Sequence, residues 1–400
     1  MTIGWTRKDS RPCSMSRNPR SARLPYSTQW LTAEDFAAVD ASMRGEWLTT
    51  GPAVEAFESA LADRAGVADA AVLSSGTAAL HAAYAASGLN PGDEIITSPL
   101  TFVATASCAL MLGATVRFAD IEPDTGTLDA SAAAEQIGPR TRIVVPVDYA
   151  GHPADYAALE ELRDKARKLA VIADAAHSFG ASFEGRPVGS LADATALSFH
   201  PVKAITTAEG GAVLTDNAET TRRVRTFRSH GIVREPSEQR NTGPEWYYEV
   251  QSLGFNYRMP DVLCALGQSQ LAKLDEYIER RRTLAARYTE ALGAEEALEL
   301  PTERENVRSS WHLYVVRVRE AARRDEFLGY LRSRGLGAQV HYLPVYRHPL
   351  FADLGYRSGS CPAAEDFFSR AVSIPLFPRM SDADVGYVID VVSEGCRAML

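Results

Sequence analysis

Hydrophobic and polar positions recur along the chain in two periods, which together predict alternating helices and strands. Thr32 followed by Asp35 is typical of a helix N-terminus, and Pro52 opens a second helix with Phe57 and Leu61 on one face. Short apolar runs then predict strands, and longer helical patterns separate them. The predicted strands are 70–73, 94–97, 115–118, 142–147, 171–173, 195–199 and 212–214, and the predicted helices are 77–86, 102–112 and 156–169.

Strands separated by helical crossovers predict an α/β fold, with a mostly parallel sheet covered by helices on both faces. Residues 259–292 form one long helical pattern of the kind that joins two domains. Beyond Pro301 a smaller α/β pattern predicts strands at 312–318 and 338–342 and helices at 321–334, 363–370 and 382–393. We therefore divide the chain into a basic arm (1–23), a large domain (24–258), a connecting helix (259–300) and a small C-terminal domain (301–400).

The composition is that of a globular protein and excludes several classes. Of the 400 residues 46% are hydrophobic and 23% charged, and 51 acidic against 42 basic residues give a net charge of −9. An acidic chain lacks the basic surface that general nucleic-acid binding needs. The cysteines are scattered without a Cys-x-x-Cys pair, which argues against a disulfide framework or a metal site and favours a reducing cytoplasm.

Two segments allow more than one interpretation. Residues 1–23 are rich in Arg and Ser, so we expect a disordered arm. The alternatives are a transit peptide, or an upstream start codon with Met15 nearer the true start. Residues 99–116 carry no charge and almost reach bilayer-spanning length, but their threonines favour a helix inside a soluble core. We therefore expect a cytoplasmic protein without a membrane segment or a secretory signal.

The first candidate site follows the predicted strand 70–73, where the sequence Ser-Ser-Gly-Thr begins a helix. Free backbone N–H groups at a helix N-terminus bind phosphate, and the hydroxyls of Ser75 and Thr77 would add donors. An ordinary N-cap explains the same residues, so this motif alone leaves both interpretations open.

A second candidate is Asp174, which follows the predicted strand 171–173 at the end where open α/β sheets bind ligands. A buried carboxylate needs a cationic partner, and a protonated pyridine nitrogen would satisfy it. The alternative is a structural aspartate that caps the next turn. His177 either packs in the core, supports Asp174 or flanks a bound ring.

A third candidate is Lys203, which lies beyond strand 195–199 and before Gly210 and Gly211. Burial lowers the pKa of an amine from about 10.4 and provides the neutral nucleophile that a Schiff-base lysine requires. A solvated surface lysine is the alternative. A fourth cluster, around Asn256, can contact a phosphate or simply cap the helix that follows.

In this order the motifs resemble the pyridoxal-phosphate-dependent nucleotide-sugar aminotransferases of the DegT/StrS type, which have aminotransferase fold type I. The motifs are Ser-Gly-Thr, Asp-Ala-Ala-His, Ser-Phe-His-Pro-Val-Lys and Gly-Phe-Asn-Tyr-Arg, and the likeness extends from Leu24 to the C-terminus. The arm before residue 24 does not match the family pattern. The segments that look most like the members of pseudaminic acid biosynthesis are 99–102, 198–211, 228–232 and 340–346.

The resemblance implies a role for each motif. Lys203 would bind pyridoxal 5'-phosphate as a Schiff base, Asp174 would pair with the pyridine nitrogen, and Phe102 would stack on the ring. His177 would be the third catalytic residue, beside Lys203 and Asp174. Asn256 would reach the phosphate from the neighbouring subunit of a homodimer. The other phosphate contacts would be Ser75, Gly76, Thr77 and Ser198. The residues near the nucleotide sugar would be Thr49, Thr50, His341 and Tyr342.

The reaction that the resemblance implies is transfer of an amino group from an amino acid, L-glutamate by expectation. The acceptor would be C4 of a UDP-linked 4-keto-6-deoxy-N-acetylhexosamine in pseudaminic acid biosynthesis. One alternative is a GDP- or dTDP-keto-sugar acceptor. A more remote one is a non-catalytic cofactor-binding regulator whose arm contacts nucleic acid. A dehydratase of the same family is disfavoured, because that branch carries histidine where this chain has Lys203.

Overall fold

The structure, a computed structural model, describes residues 23–165 and 169–399. The expected basic arm lies outside the described residues except for Arg23. The helices are α1 (Ala33–Met43), α2 (Pro52–Ala65), α3 (Gly76–Ala86), α4 (Ala104–Met111), α5 (Ala130–Gln136), α6 (Tyr156–Glu160), α7 (Ala218–Phe227), α8 (Asp261–Leu271), α9 (Leu274–Leu292), α10 (Arg324–Ser333), α11 (Pro349–Asp353), α12 (Pro362–Arg370) and α13 (Asp382–Met399). The strands are β1 (Asp69–Leu73), β2 (Glu94–Thr97), β3 (Thr115–Phe118), β4 (Thr141–Val145), β5 (Ala170–Asp174), β6 (Ser182–Phe183), β7 (Arg186–Pro187), β8 (Ala194–Ser198), β9 (Gly211–Thr215), β10 (Ile232–Val233), β11 (Glu249–Val250), β12 (Leu298–Glu299), β13 (Val307–Arg308), β14 (Tyr314–Val318) and β15 (Ala371–Ile374).

A seven-stranded sheet in the order β1-β9-β8-β5-β4-β2-β3 forms the centre of the fold. β9 is antiparallel to both of its neighbours, and the remaining pairs are parallel. β1 and β8 therefore point in the same direction as β5, although β9 lies between them. The predicted mostly parallel sheet is confirmed, and the carboxyl ends of six strands meet at one edge.

Both faces of this sheet are buried, which explains why its strands are continuously apolar. Val72 and Val144 point into a cluster that includes Phe57 of α2. Residues one position away, such as Ala71 and Ile143, point into a second cluster formed with α3 and α4. Successive side chains of a strand face opposite sides, so the helices on both faces are needed to cover them.

The long helical pattern 259–292 is not one helix, and that prediction is wrong in this respect. α8 ends at Leu271 and α9 begins at Leu274. At the break Lys273 has φ −105° and ψ 1°, and its Nζ lies 2.7 Å from Oδ1 of Asp35 in α1. Sequence periodicity does not register such a contact between distant helices, so the pattern runs on through the break.

A second sheet, β12-β14-β15, is antiparallel and packs with α9, α10 and α13 around its own core. The predicted strand 338–342 is wrong, since within it only Gln339 forms an isolated bridge, to Ser373. β15 was missed because it follows α12 directly at Arg370, without a turn signal. The predicted helix 156–169 shortens to α6 followed by a 3-10 turn at Glu161–Lys165, and α5 and α7 were not predicted.

The uncharged segment 99–116 contributes only the short helix α4 and the start of β3. In the described part of the chain no helix combines the length and the apolar character needed to cross a bilayer. The four described cysteines are buried free thiols.

Candidate active site

The carboxyl ends of β1, β2, β5 and β8 enclose a cavity of about 400 Å³. Ligands bind at this edge in open α/β sheets. Most of the residues assigned from the sequence line this cavity, namely Ser75, Gly76, Thr77, Phe102, Asp174, His177, Ser198, Lys203, His341 and Tyr342. Residues that are far apart in the chain therefore share one site.

The wall formed by the N-terminus of α3 is shaped for close approach of a ligand. Ser75 is the N-cap, and its Oγ accepts a hydrogen bond of 3.1 Å from the backbone N–H of Ala78. A Cβ on Gly76 would lie 2.8 Å from Cβ of Ser198, so only glycine lets the start of the helix contact Ser198. The first N–H groups of a helix have no partner within it, which suits a phosphate.

Asp174 ends β5 and is buried, with 6% of its surface exposed. Its Oδ2 accepts a 2.6 Å hydrogen bond from Oγ1 of Thr105, and its Oδ1 accepts one of 3.2 Å from the N–H of Ala176. Burial raises the pKa of Asp174, whereas these two donors and the charge of Lys203 oppose that rise. The carboxylate is thus held in place, and a cation at the cavity would compensate its burial.

Lys203 lies in the connection between the antiparallel strands β8 and β9. Its backbone N–H donates to the carbonyl of His200 at 2.9 Å, and Phe199 donates to Gly210 at 2.8 Å. A Cβ on Gly211 would lie 2.4 Å from the carbonyl oxygen of Ser75, so the end of this connection packs directly on the turn before α3. Burial lowers the pKa of Lys203 to about 8, which leaves part of the amine neutral near pH 7.

A group of uncharged aromatic side chains forms the wall beside Lys203. The rings of His177 and His312 are 4.3 Å apart, and Nε2 of His177 lies 3.1 Å from the hydroxyl of Tyr342. Burial holds the pKa of both histidines well below the usual value and lowers that of His341 to about 4. These imidazoles are therefore neutral, and Asp174 is the charged group that acts on the pKa of Lys203.

Sequence reasoning missed two residues of the site. Thr105 donates a hydrogen bond to Asp174, and its hydroxyl oxygen also lies 2.7 Å from the hydroxyl oxygen of Thr101. Two threonines four residues apart in an otherwise apolar segment were the available signal. His312 lines the cavity as well, but it lies just before β14 and carries no signal in the sequence.

Three of the assigned residues lie outside this cavity in a single chain. Thr49, Thr50 and Asn256 are exposed. Thr50 lines a separate, more open cleft together with Ser229, which forms an isolated bridge with Asn256. Their roles therefore stay predictions, and that of Asn256 is expected to be played from a neighbouring subunit.

The residues present fit pyridoxal phosphate. The start of α3 and Ser198 offer a phosphate cradle, and Asp174 is a buried carboxylate suited to a protonated ring nitrogen. Lys203 is an amine with a lowered pKa. Nδ1 of His177 is buried without a partner in the described part of the chain, so a bound ligand would satisfy it.

Known proteins support the same conclusion. Residues 29–393 match the model of the DegT/DnrJ/EryC1/StrS aminotransferase family. The chain is 37% identical over 380 residues to the spore coat polysaccharide biosynthesis protein SpsC of Bacillus subtilis, covering 94% of this chain and 97% of that protein. Helicobacter pylori PseC, an aminotransferase involved in the biosynthesis of pseudaminic acid, superposes with a TM-score of 0.88 at 33% identity, covering 94% of this chain and all of that one.

Spr1654 of Streptococcus pneumoniae, solved in its PLP form, superposes with a TM-score of 0.88 at 28% identity over 94% of this chain and 100% of that one. The family match covers most of the chain, and the relatives are covered almost completely. The chain therefore belongs to the DegT/DnrJ/EryC1/StrS aminotransferase family, and it is a pyridoxal-phosphate-dependent sugar aminotransferase.

Proposed function

We propose that this enzyme transfers an amino group from L-glutamate to C4 of a UDP-linked 4-keto-6-deoxy-N-acetylhexosamine, as a step of pseudaminic acid biosynthesis. The observation that carries the proposal of transamination is the placement of Lys203 and Asp174 in one cavity with a phosphate cradle. The similarity to PseC over the whole of that protein supports the choice of sugar.

We propose that Lys203 is the residue that moves the proton. Its neutral Nζ would accept the proton from the α-carbon of the donor and pass it to the cofactor carbon that takes up the amino group. In the second half-reaction it would take a proton from that carbon and pass it to C4 of the sugar. With its pKa lowered to about 8, the amine can both accept and release a proton near neutral pH. When bound, pyridoxal phosphate supplies the electron sink for the charge that develops on carbon.

The other residues of the site bind and orient. Asp174 keeps a proton on the ring nitrogen, because a buried carboxylate favours an adjacent cation. Thr105 holds the carboxylate at 2.6 Å and so fixes its direction. Phe102 is 58% exposed at the mouth of the cavity, a position that suits stacking on a bound ring. His177 and Tyr342 form a neutral wall and add no competing charge.

We also propose that the enzyme is a cytoplasmic homodimer with shared sites. Asn256 and Thr50 lie near the open cleft that contains Ser229, outside the cavity of their own chain. Large apolar side chains are exposed in the neighbouring loops, among them Trp47, Leu48, Trp246, Leu253 and Phe255. Apolar clusters of this kind mark protein interfaces. A twofold partner would cover them and bring its Asn256 to this cavity.

A second acceptor has support of its own. Identity to SpsC, a protein of spore coat polysaccharide biosynthesis, is 37%, somewhat greater than the 33% to PseC. A different GDP- or dTDP-linked keto sugar is therefore the second candidate.

The decisive experiment is spectroscopic. The holoenzyme is first converted with glutamate to the amine form of the cofactor. UDP-, GDP- and dTDP-linked 4-keto-6-deoxy sugars are then added separately, and recovery of the aldehyde absorbance is followed. We expect the UDP-linked N-acetylhexosamine to restore it fastest. Faster recovery with a GDP or dTDP sugar would replace the proposed substrate, and recovery with none would refute sugar transamination for these classes.

A further inference from the structure

Arg281, in the middle of α9, is a charged side chain in the interior of the protein. Only 2% of its surface is exposed, and its guanidinium donates to backbone carbonyls. Burial lowers the pKa of this guanidinium to about 10, so it remains protonated at neutral pH. A buried charge is costly unless other groups satisfy it, and here those groups are carbonyls.

The guanidinium of Arg281 joins three segments of the chain through backbone carbonyls. Nη1 donates to Leu376 at 2.9 Å, to His312 at 3.2 Å and to Trp311 at 3.4 Å. Nη2 donates to Val202 at 3.4 Å. Hydrogen bonds from a charged donor are stronger than those between neutral groups, so this one side chain connects α9 to all three segments.

Two of these segments belong to the active site. Val202 directly precedes Lys203, and both line the cavity. His312 lines it too, and its ring centroid lies 4.3 Å from that of His177. Trp311, which directly precedes His312, has a φ of 48°. This left-handed value is strained for a bulky residue and needs support from its surroundings. The hydrogen bonds from Arg281 to the carbonyls of Trp311 and His312 support that segment.

We propose that Arg281 is a positioning residue of the active site, which fixes the backbone that carries Lys203 against the segment that carries His312. The inference rests on the proposed function only in taking Lys203 as the reacting amine. Replacing a buried charge by an apolar side chain of similar volume is often tolerated. A variant can therefore fold and still lose this positioning.

The consequence concerns the surroundings of the amine. The titratable groups that line the cavity with Lys203 include the carboxylate of Asp174 and the neutral rings of His177, His312 and His341. The others are Glu209, His200, Tyr26 and Tyr342. If the segment before Lys203 relaxes, the half-buried amine becomes more exposed to water and its desolvation falls. Because desolvation favours the neutral amine, the pKa of Lys203 then rises from about 8 towards its ordinary value.

The test measures this titration directly in the apoenzyme. Protein is acylated with a limiting amine reagent between about pH 6 and 10, and the label at Lys203 is quantified by peptide mapping. Lysines are scarce in this chain, which keeps the map simple. The variants are Arg281→Met and Arg281→Lys. The control is Arg280→Met. Arg280 lies next to Arg281 in α9, and this change removes its 2.7 Å hydrogen bond to the carbonyl of Met380.

Neutral amine reacts, so labelling increases as the pH rises through the pKa. We expect a midpoint near 8 for the wild type and for R280M, about one unit higher for R281M, and an intermediate value for R281K. Equal midpoints for folded R281M and R280M would overturn the proposal. If R281M does not fold, R281K decides, since lysine keeps the charge but cannot span all the carbonyls. An unchanged midpoint there would overturn it as well.

This outcome is separate from that of the proposed function. No sugar or amino donor takes part in the titration, so a wrong substrate leaves its result unchanged. Conversely, a normal titration in R281M would remove the role of Arg281 and leave the transamination proposal in place.

Discussion

At the scale of single residues, the proposed chemistry depends on Asp174 and Lys203, two groups of opposite charge that line one cavity. Asp174 is fixed by Thr105 at 2.6 Å and by Ala176 at 3.2 Å. Burial lowers the pKa of Lys203 to about 8. Desolvation raises the pKa of Asp174 and lowers that of Lys203, so burial disfavours the charged form of both groups.

Asp174→Asn tests the role of the carboxylate. Asparagine keeps the shape but cannot hold a proton on the ring nitrogen, so we expect kcat to fall by about 10²–10³-fold. Cofactor affinity should change by less than about tenfold, because the phosphate cradle is intact. The measurements are steady-state kinetics and a cofactor titration. Loss of affinity without loss of kcat in the saturated enzyme would show that Asp174 only anchors the cofactor.

At the scale of secondary-structure elements, the site depends on the contact between the start of α3 and the end of β8. Gly76 permits this contact because a Cβ there would lie 2.8 Å from Cβ of Ser198. Gly211 brings β9 equally close to Ser75, at 2.4 Å from its carbonyl for an added Cβ. The start of α3, the end of β8 and the start of β9 thus meet at positions where only glycine fits, and we expect this contact to form the phosphate cradle.

Gly76→Ala is expected to push α3 and β8 apart. Overpacking of this kind costs about 1–3 kcal/mol. If the strain distorts the phosphate cradle, cofactor affinity drops by roughly 10–100-fold. Gly329→Ala in α10 is the matched control, since nothing lies within 4 Å of its added Cβ. That variant should bind cofactor normally and be more stable to denaturant by about 1 kcal/mol. Equal cofactor affinities for the two variants would argue against a phosphate cradle at Gly76.

At the scale of the whole molecule, one chain holds an incomplete set of the assigned residues. The cavity contains Lys203, whereas Asn256 and Thr50 lie on another surface. Exposed Trp246, 76% accessible, and Leu253, 90% accessible, lie close to Asn256 in the chain. A second copy of the chain that covers the apolar loops would account for two observations: the exposure of these side chains, and the position of Asn256 outside the cavity of its own chain.

Subunit exchange between two inactive variants tests the shared site. Lys203→Ala and Asn256→Ala homodimers are mixed and allowed to exchange. In a hybrid dimer with shared sites, one site carries both changes and the other carries neither, so about a quarter of all sites regain activity at equal mixing. Sites built from a single chain would regain none. Analytical ultracentrifugation of each variant establishes beforehand that both still form dimers.

Sequence and tertiary structure determined different parts of this picture. The sequence determined the alternating elements, the mostly parallel sheet and the motifs around Ser75, Asp174 and Lys203, because periodicity and turn chemistry are local. The tertiary structure decided what depends on contacts between distant residues. These are the break at Lys273 beside Asp35, the loss of the predicted strand 338–342, and the partners Thr105, His312 and Arg281. A side chain becomes a partner only when the packed fold brings it within hydrogen-bonding distance, and no local pattern encodes that distance.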